Sequence, residues 1–354
     1  MSTTTYIPTT TAVSSATATC TAATPDKYGR VPVDACNSNY FFDPNFGVNL
    51  AFCVLFGLTT LVHLTQAILF KKGSKFCWVI IMGAAWETIA FAFKTLGSRH
   101  QQNLMYLTWG QLLFLLAPLW INAFVYMAVA RMVYFRMPGQ KLLGIKAIRT
   151  TLLFVWLDII LFLIQAAGGT MLSSTDGDQN MINIGMKVYT AGVALQLVVV
   201  LIFTGLTAFF YYKLRQIEGR SMGRMKWLIW TMLVVLVLIV VRIIYRLVEF
   251  GPGVNNHNEL LIHEKYPLCL DATPILIALV LLNAMHPGFV LHGPESEFPK
   301  LSRKEKKALR QQKKQEKKQE KKQVEEAKKA RKAGTQELKY ISIDERSTSS
   351  REMV

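Results

Sequence analysis

Seven stretches of about 20 or more apolar residues constrain this chain more than any other feature. A bilayer hydrocarbon core is about 30 Å thick and takes about 20 residues of helix to cross. The stretches run roughly over Phe46–Phe70, Phe76–Leu96, Leu104–Ala130, Thr150–Thr170, Gly185–Tyr212, Trp227–Glu249 and Leu268–Leu291. Lipid offers the backbone no hydrogen-bond partners, so an apolar run of this length crosses as a helix that satisfies its own N–H and C=O groups. Buried helices of a large soluble protein seldom run this long without charge, and seven in series argue against that alternative. The expected fold class is therefore all-α, a polytopic membrane protein with seven transmembrane helices.

Loop charge orients the spans. Lys71–Lys75 carries three lysines, Arg131–Arg149 carries five basic residues and no acid, and Lys213–Lys226 carries five more. The alternate loops hold single basic residues (Arg99, Lys187, Lys265), with Asp176, Asp178, Glu259 and Glu264 on the last two. Basic loops stay in the cytoplasm. The N-terminus is therefore expected outside and the C-terminus inside. Residues 1–45 form a Ser/Thr-rich extracellular tail, expected to be disordered up to about Asp26. Residues 46–292 form the membrane domain, and residues 293–354 form a basic cytoplasmic tail. The first 45 residues contain no basic stretch followed by an apolar core, so the first span is expected to start membrane insertion itself. The expected location is the plasma membrane, as a multi-pass protein.

Charge is concentrated in that last tail. Between Lys300 and Lys332 there are sixteen Lys/Arg against five Asp/Glu, which supplies eleven of the net +17. A basic run tethered to a membrane domain argues against a nucleic-acid partner. Ser302–Lys332 is rich in Lys, Gln, Glu and Ala, lacks Gly and Pro, and favours a solvated helix. Its charge is expected to be drawn to anionic lipids of the inner leaflet. A plain topology anchor is the competing reading. Among five cysteines, one disulfide is allowed among Cys20, Cys36 and Cys269, and no CxxC pair suggests a metal site.

An ionisable residue inside a span costs roughly 2.5–3.5 kcal/mol on insertion scales and needs a reason. Glu87 lies roughly 16 Å and Asp158 about 12 Å from the cytoplasmic ends of their helices, at 1.5 Å per residue. Lys94 follows Glu87 by two turns on one face, and Gln165 bears the same relation to Asp158. Arg242, Arg246 and Glu249 share one face of span six, and Asp271 opens span seven. These groups are expected to point into the bundle, as a polar cluster open to the outer side. The same spacing allows Arg246–Glu249 and Arg242–Asp271 to be internal ion pairs that fix packing. A mid-membrane carboxylate can meet a substrate amine or carry a proton. His63 and His286 read as satisfied histidines near the cytoplasmic interface, Pro118 and Pro274 as kinks, and Gly168-Gly169 as a site of close backbone packing.

No GxxxxGK[ST], GxSxG, HExxH or kinase signature is present, so nothing argues for an enzyme, and no cofactor or metal is implied.

Several ordered segments together resemble the fungal lipid-translocating exporter family, which includes sphingoid long-chain base exporters and aminocholesterol-resistance proteins. They are Tyr28-Gly-Arg-Val-Pro32; Glu87; Leu115-Leu-Ala-Pro118 with Tyr126 and Arg131; and Asp158, Gln165 and Gly168-Gly169. The most specific run is Arg242-Ile-Ile-Tyr-Arg-Leu-Val-Glu249, then Glu264, Tyr266 and Asp271, ending in His286-Pro-Gly288. The resemblance covers about Tyr28 to His292. It departs at Ala90-Phe91 and Lys94, where the family carries a Gly-Tyr pair and an arginine. What it implies is a seven-helix protein that moves lipids or amphiphilic compounds, or confers resistance to toxic ones. Under that reading Glu87 and Asp158 bind an amine, and Arg242 and Arg246 bind a phosphate or carboxylate. A seven-helix lipid sensor or receptor signalling through its loops and tail is the alternative.

Overall fold

The computed structural model describes residues 21–69, 76–172, 179–251 and 258–290, with four isolated residues of the tail. The chain divides after Ser296 into two compact units. In the second, Gln311, Gln315, Lys318 and Gln319 are helical and exposed.

Seven helical spans form the first unit. They are α1 (Phe46–Leu69), α2 (Trp78–Gly97), α3 (Leu104–Arg136), α4 (Ala147–Leu172), α5 (Gln179–Glu218), α6 (Arg224–Phe250) and a composite seventh span, Lys265–Ala284. A single turn, α7 (Glu259–Ile262), precedes the last. The seventh span consists of α8 (Lys265–Pro267), a π-helical turn over Leu268–Ala272 and α9 (Thr273–Ala284). All seven are long and apolar enough to cross a membrane. Burial is inverted relative to a soluble protein. Leu61, Leu153, Trp156 and Val237 are exposed, while Glu87, Asp158, Arg242, Arg246, Glu249 and Asp271 are buried. Only a lipid environment makes that arrangement favourable, because apolar side chains then lose nothing outside and charges find partners inside.

Several boundaries differ from the sequence reading. Helices α3 and α5 continue to Arg136 and Glu218, where Arg136 Nη1 donates to Glu218 Oε1 at 3.1 Å. The chain then forms a hairpin of β1 (Lys141–Leu142) and β2 (Ile145–Lys146), turned through Leu143 and Gly144 at positive φ. The seventh span ends at Ala284 rather than Leu291. Pro287 disfavours helix at the residue before it, and His286 is extended, its Nδ1 accepting from the Gly288 N–H at 3.0 Å.

Order at the other end of the bundle begins earlier than expected. Asn37 Nδ2 donates to the Ala23 carbonyl at 2.8 Å, and the Asp26 carboxylate accepts from the Tyr28 and Arg30 N–H groups. Residues 21–26 are thus fixed by their own polar contacts. Arg30 pairs with Asp43, which also accepts from Gln101 Nε2 at 3.0 Å. Cys36 is in a disulfide and Cys269 is a free, exposed thiol, so Cys269 is not its partner. Cys20 lies outside the described residues.

Candidate functional site

The polar side chains of α6 converge on the π-helical turn. Arg242 Nε donates to Asp271 Oδ1, and Arg246 Nη2 lies 2.5 Å from Asp271 Oδ2. Arg246 Nη1 reaches Glu249 Oε2 at 3.2 Å, and the Tyr245 hydroxyl donates to Glu249 Oε1 at 2.9 Å. Both ion pairs foreseen from the spacing therefore form, and Asp271 joins both arginines in one network. A π-turn widens the helix by one residue and is frequently found at functional sites. Here it holds the wholly buried Asp271 against two residues of α6 one turn apart.

Pro118 contributes to the same place. A proline has no N–H, so the carbonyl four residues earlier loses its helical donor. That carbonyl is Phe114 O, and Arg242 Nη2 donates to it at 3.4 Å. The proline thus supplies the network with an acceptor. The Phe114 ring takes the remaining cation. Lys94 Nζ lies 3.7 Å from its centroid and 5.2 Å from that of Phe91. Gly110 makes room for the lysine stem, since a Cβ there would stand 3.2 Å from Lys94 Cγ.

Glu87 is fully buried within electrostatic reach of Arg242, Asp271, Lys94 and Arg246, yet neither carboxylate oxygen has a hydrogen-bond partner among the described residues. Asp158 lies elsewhere. Its Oδ2 accepts from Asn122 Nδ2 at 3.1 Å and from the Tyr126 hydroxyl at 2.9 Å, both on α3. Gln165 is held on α4, its Nε2 donating to Gln196 Oε1 on α5 at 2.9 Å, and it lines one small cavity with Arg242 and Arg246. The structure therefore brings Glu87, Lys94, Arg242, Arg246, Glu249 and Asp271 together, places Gln165 at the edge of that cluster on the α4–α5 contact, and leaves Asp158 on the α3–α4 contact.

The cluster is closed rather than open to the outer side. Arg242, Arg246, Glu249 and Asp271 are all buried. A cavity of about 30 Å³ beside them, between Pro118, Gln165, Tyr189, Gln196, Arg242 and Arg246, has room for only one or two waters. Ion pairs completed within the protein leave no need for solvent. His63 and His286 are wholly buried, and neither ring nitrogen of His63 has a hydrogen-bond partner among the described residues. Gly168 meets the backbone expectation: a Cβ there would stand 2.6 Å from the Tyr189 amide nitrogen on α5. Gly169 has open space.

Outside the spans, Glu264 ties the last span to the first. Its Oε2 accepts from the Asn45 N–H at 2.8 Å and its Oε1 from Asn49 Nδ2 at 2.5 Å. Burial pushes its carboxyl above the ordinary glutamate range, opposed by those two bonds and by Lys94. The sequence reading missed Asn122, Asn49, Tyr245 and Phe114 as partners. Asn122 and Tyr126, a polar pair four apart on a strongly apolar helix, were the one available signal.

A seven-span bundle with its charges turned inward around a closed ion network is a polytopic membrane protein. The chain belongs to the RTA1-like protein family, which matches residues 80–294, from span two past the end of span seven. It is 41% identical over 308 residues to the probable lipid transporter atnI of Emericella nidulans, covering 84% of this chain and 80% of that protein. It is 24% identical over 303 residues to the sphingoid long-chain base transporter RSB1 of Saccharomyces cerevisiae, covering 75% and 78%. Protein RTM1 of the same yeast is 26% identical over 204 residues, covering 57% and 64%. No solved structure matches the chain.

Proposed function

We propose that this protein moves lipids or other amphiphiles with polar headgroups across the membrane, sphingoid-base-like or sterol-like compounds among them, and so confers resistance to toxic ones. The observation that carries this reading is the buried acid Glu87, which has no hydrogen-bond partner among the described residues and stands beside a network of three cations inside the bilayer. A protein stabilised by that network alone gains nothing from an unpartnered carboxylate, whereas a passing amine gives it a partner. The names of the similar proteins, a probable lipid transporter and a sphingoid long-chain base transporter, favour the same reading. Lys94, Arg242, Arg246, Glu249 and Asp271 complete the proposed binding region. Asp158 and Gln165 support the helices that close it. Nothing in this reading calls for catalysis.

The proposed orientation is N-terminus outside and C-terminus cytoplasmic, in the plasma membrane, with residues 293–354 held near anionic inner-leaflet lipids by their charge. The small cavity implies that α3 to α6 separate during transport. The test is movement of a fluorescent long-chain base in liposomes holding only the purified protein. Movement is expected, lost in Glu87→Gln. Folded protein that moves nothing would sink the proposal in favour of a receptor acting through cytosolic partners.

A further inference from the structure

Counting partners in the ion network leaves one acid and one base over. Asp271 is shared by Arg242 and Arg246, and Glu249 is held by Arg246 and Tyr245. Among the described residues, Lys94 has no carboxylate within ion-pair distance and touches only the faces of Phe91 and Phe114, while Glu87 has no donor at all. The two lie seven residues apart on one face of α2, about 10 Å along the axis. The lysine stem leans back toward Glu87, because side chains tilt toward the helix N-terminus. Gly110 on α3 leaves space for that stem, since a Cβ there would stand 3.2 Å from Lys94 Cγ. This is an acid and a base left without matching partners, inside a medium where an unpartnered polar group is expensive.

We infer that Glu87 and Lys94 together recognise a headgroup bearing both an ammonium and a phosphate, so that the preferred substrate is a lipid with a zwitterionic headgroup. This rests on the translocation reading above and narrows its substrate class. The geometry also sets polarity. Glu87 is deeper in the bundle and Lys94 nearer the end of α2 that joins the Arg99–Gln102 turn. A lipid whose phosphate is at its tip and whose amine is one carbon nearer the chain places phosphate at Lys94, amine at Glu87 and tail toward the bilayer centre. An amine-only headgroup satisfies Glu87 and leaves Lys94 as it is.

The experiment uses the full chain in non-ionic maltoside micelles, with three probes of equal chain length: a sphingoid base, its 1-phosphate and an alkyl phosphate. Displacement of a fluorescent lipid reads affinity. The amine-phosphate probe is expected to bind about tenfold more tightly than either single-charge probe, as a charge-assisted hydrogen bond supplies. Lys94→Gln is expected to abolish the preference, so that base and base phosphate bind it alike, and Lys94→Arg to keep the preference. Equal binding of base and base phosphate to the unmodified protein, which needs no variant to fold, overturns the inference. So does a preference that survives Lys94→Gln. The liposome assay separates the two claims. Zwitterion preference without movement sinks translocation alone, and movement without zwitterion preference sinks this inference alone.

Discussion

Glu87 and Asp158 are both fully buried carboxylates near mid-membrane, but the helices around them present opposite chemistry. On the α3–α4 contact, Asp158 receives two neutral donors, Asn122 and Tyr126, with the Tyr126 ring packed 4.4 Å from that of Phe203. In the network between α2, α3, α6 and the π-turn, Glu87 receives none, although three cations stand near it. A carboxylate given fixed donors holds helices together. One left without donors among fixed charges is available to a ligand. On the proposed function, the difference separates a structural acid from a recognition acid in one bundle, and the two can be told apart by how stability and transport respond to substitution.

The network is broken most severely at Asp271. Asp271→Asn leaves Arg242 and Arg246 buried without their shared anion, and removing one partner of a buried pair costs about 3–5 kcal/mol. Loss of monodisperse protein on fluorescence-detected size exclusion is the expected result. Unchanged yield and melting temperature would mean that the network does not hold α6 to the last span. Tyr126→Phe removes one of two donors from Asp158, with an expected loss of about 2 kcal/mol read by thermal unfolding. Its liposome transport is expected to stay normal, and transport lost at unchanged stability would move Asp158 into the binding region. Glu87→Gln is expected to change stability by less than about 0.5 kcal/mol, since no hydrogen bond of the described residues is lost, yet to abolish transport. A large drop in melting temperature would make Glu87 structural as well.

The smallest effect concerns Glu264, outside the spans. Its carboxyl is raised by burial, so the folded state binds a proton more tightly than the unfolded chain does. Stability is therefore expected to fall as pH rises from the ordinary glutamate range through the raised value, where the buried group ionises. Glu264→Gln is expected to flatten that slope in melting curves taken across mildly acidic pH. A slope that persists in the variant belongs to another group.

Much of this was legible in the sequence. Long apolar runs placed the spans because lipid permits little else, and the spacing of Arg242, Arg246 and Glu249 put them on one inward face. The misread boundaries came from effects that hydropathy does not weigh. Helices α3 and α5 continue past the apolar stretch to Arg136 and Glu218, which pair with each other, and the last span stops early because Pro287 disfavours helix before it. At the site, spacing alone made Glu87 and Asp158 look equivalent. It carried no information on which neighbouring helix supplied donors.

The chain by itself determined that seven helices cross a membrane with their charges inward, since periodicity and the cost of charge in lipid act on each helix separately. Only the tertiary structure decided which charges are paired. The orphaned Phe114 carbonyl, the π-turn that presents Asp271 to two arginines, and the donors that reach Asp158 but miss Glu87 all depend on which helices lie side by side. Pairing acts over a few ångströms between residues far apart in the chain, and no local pattern encodes it.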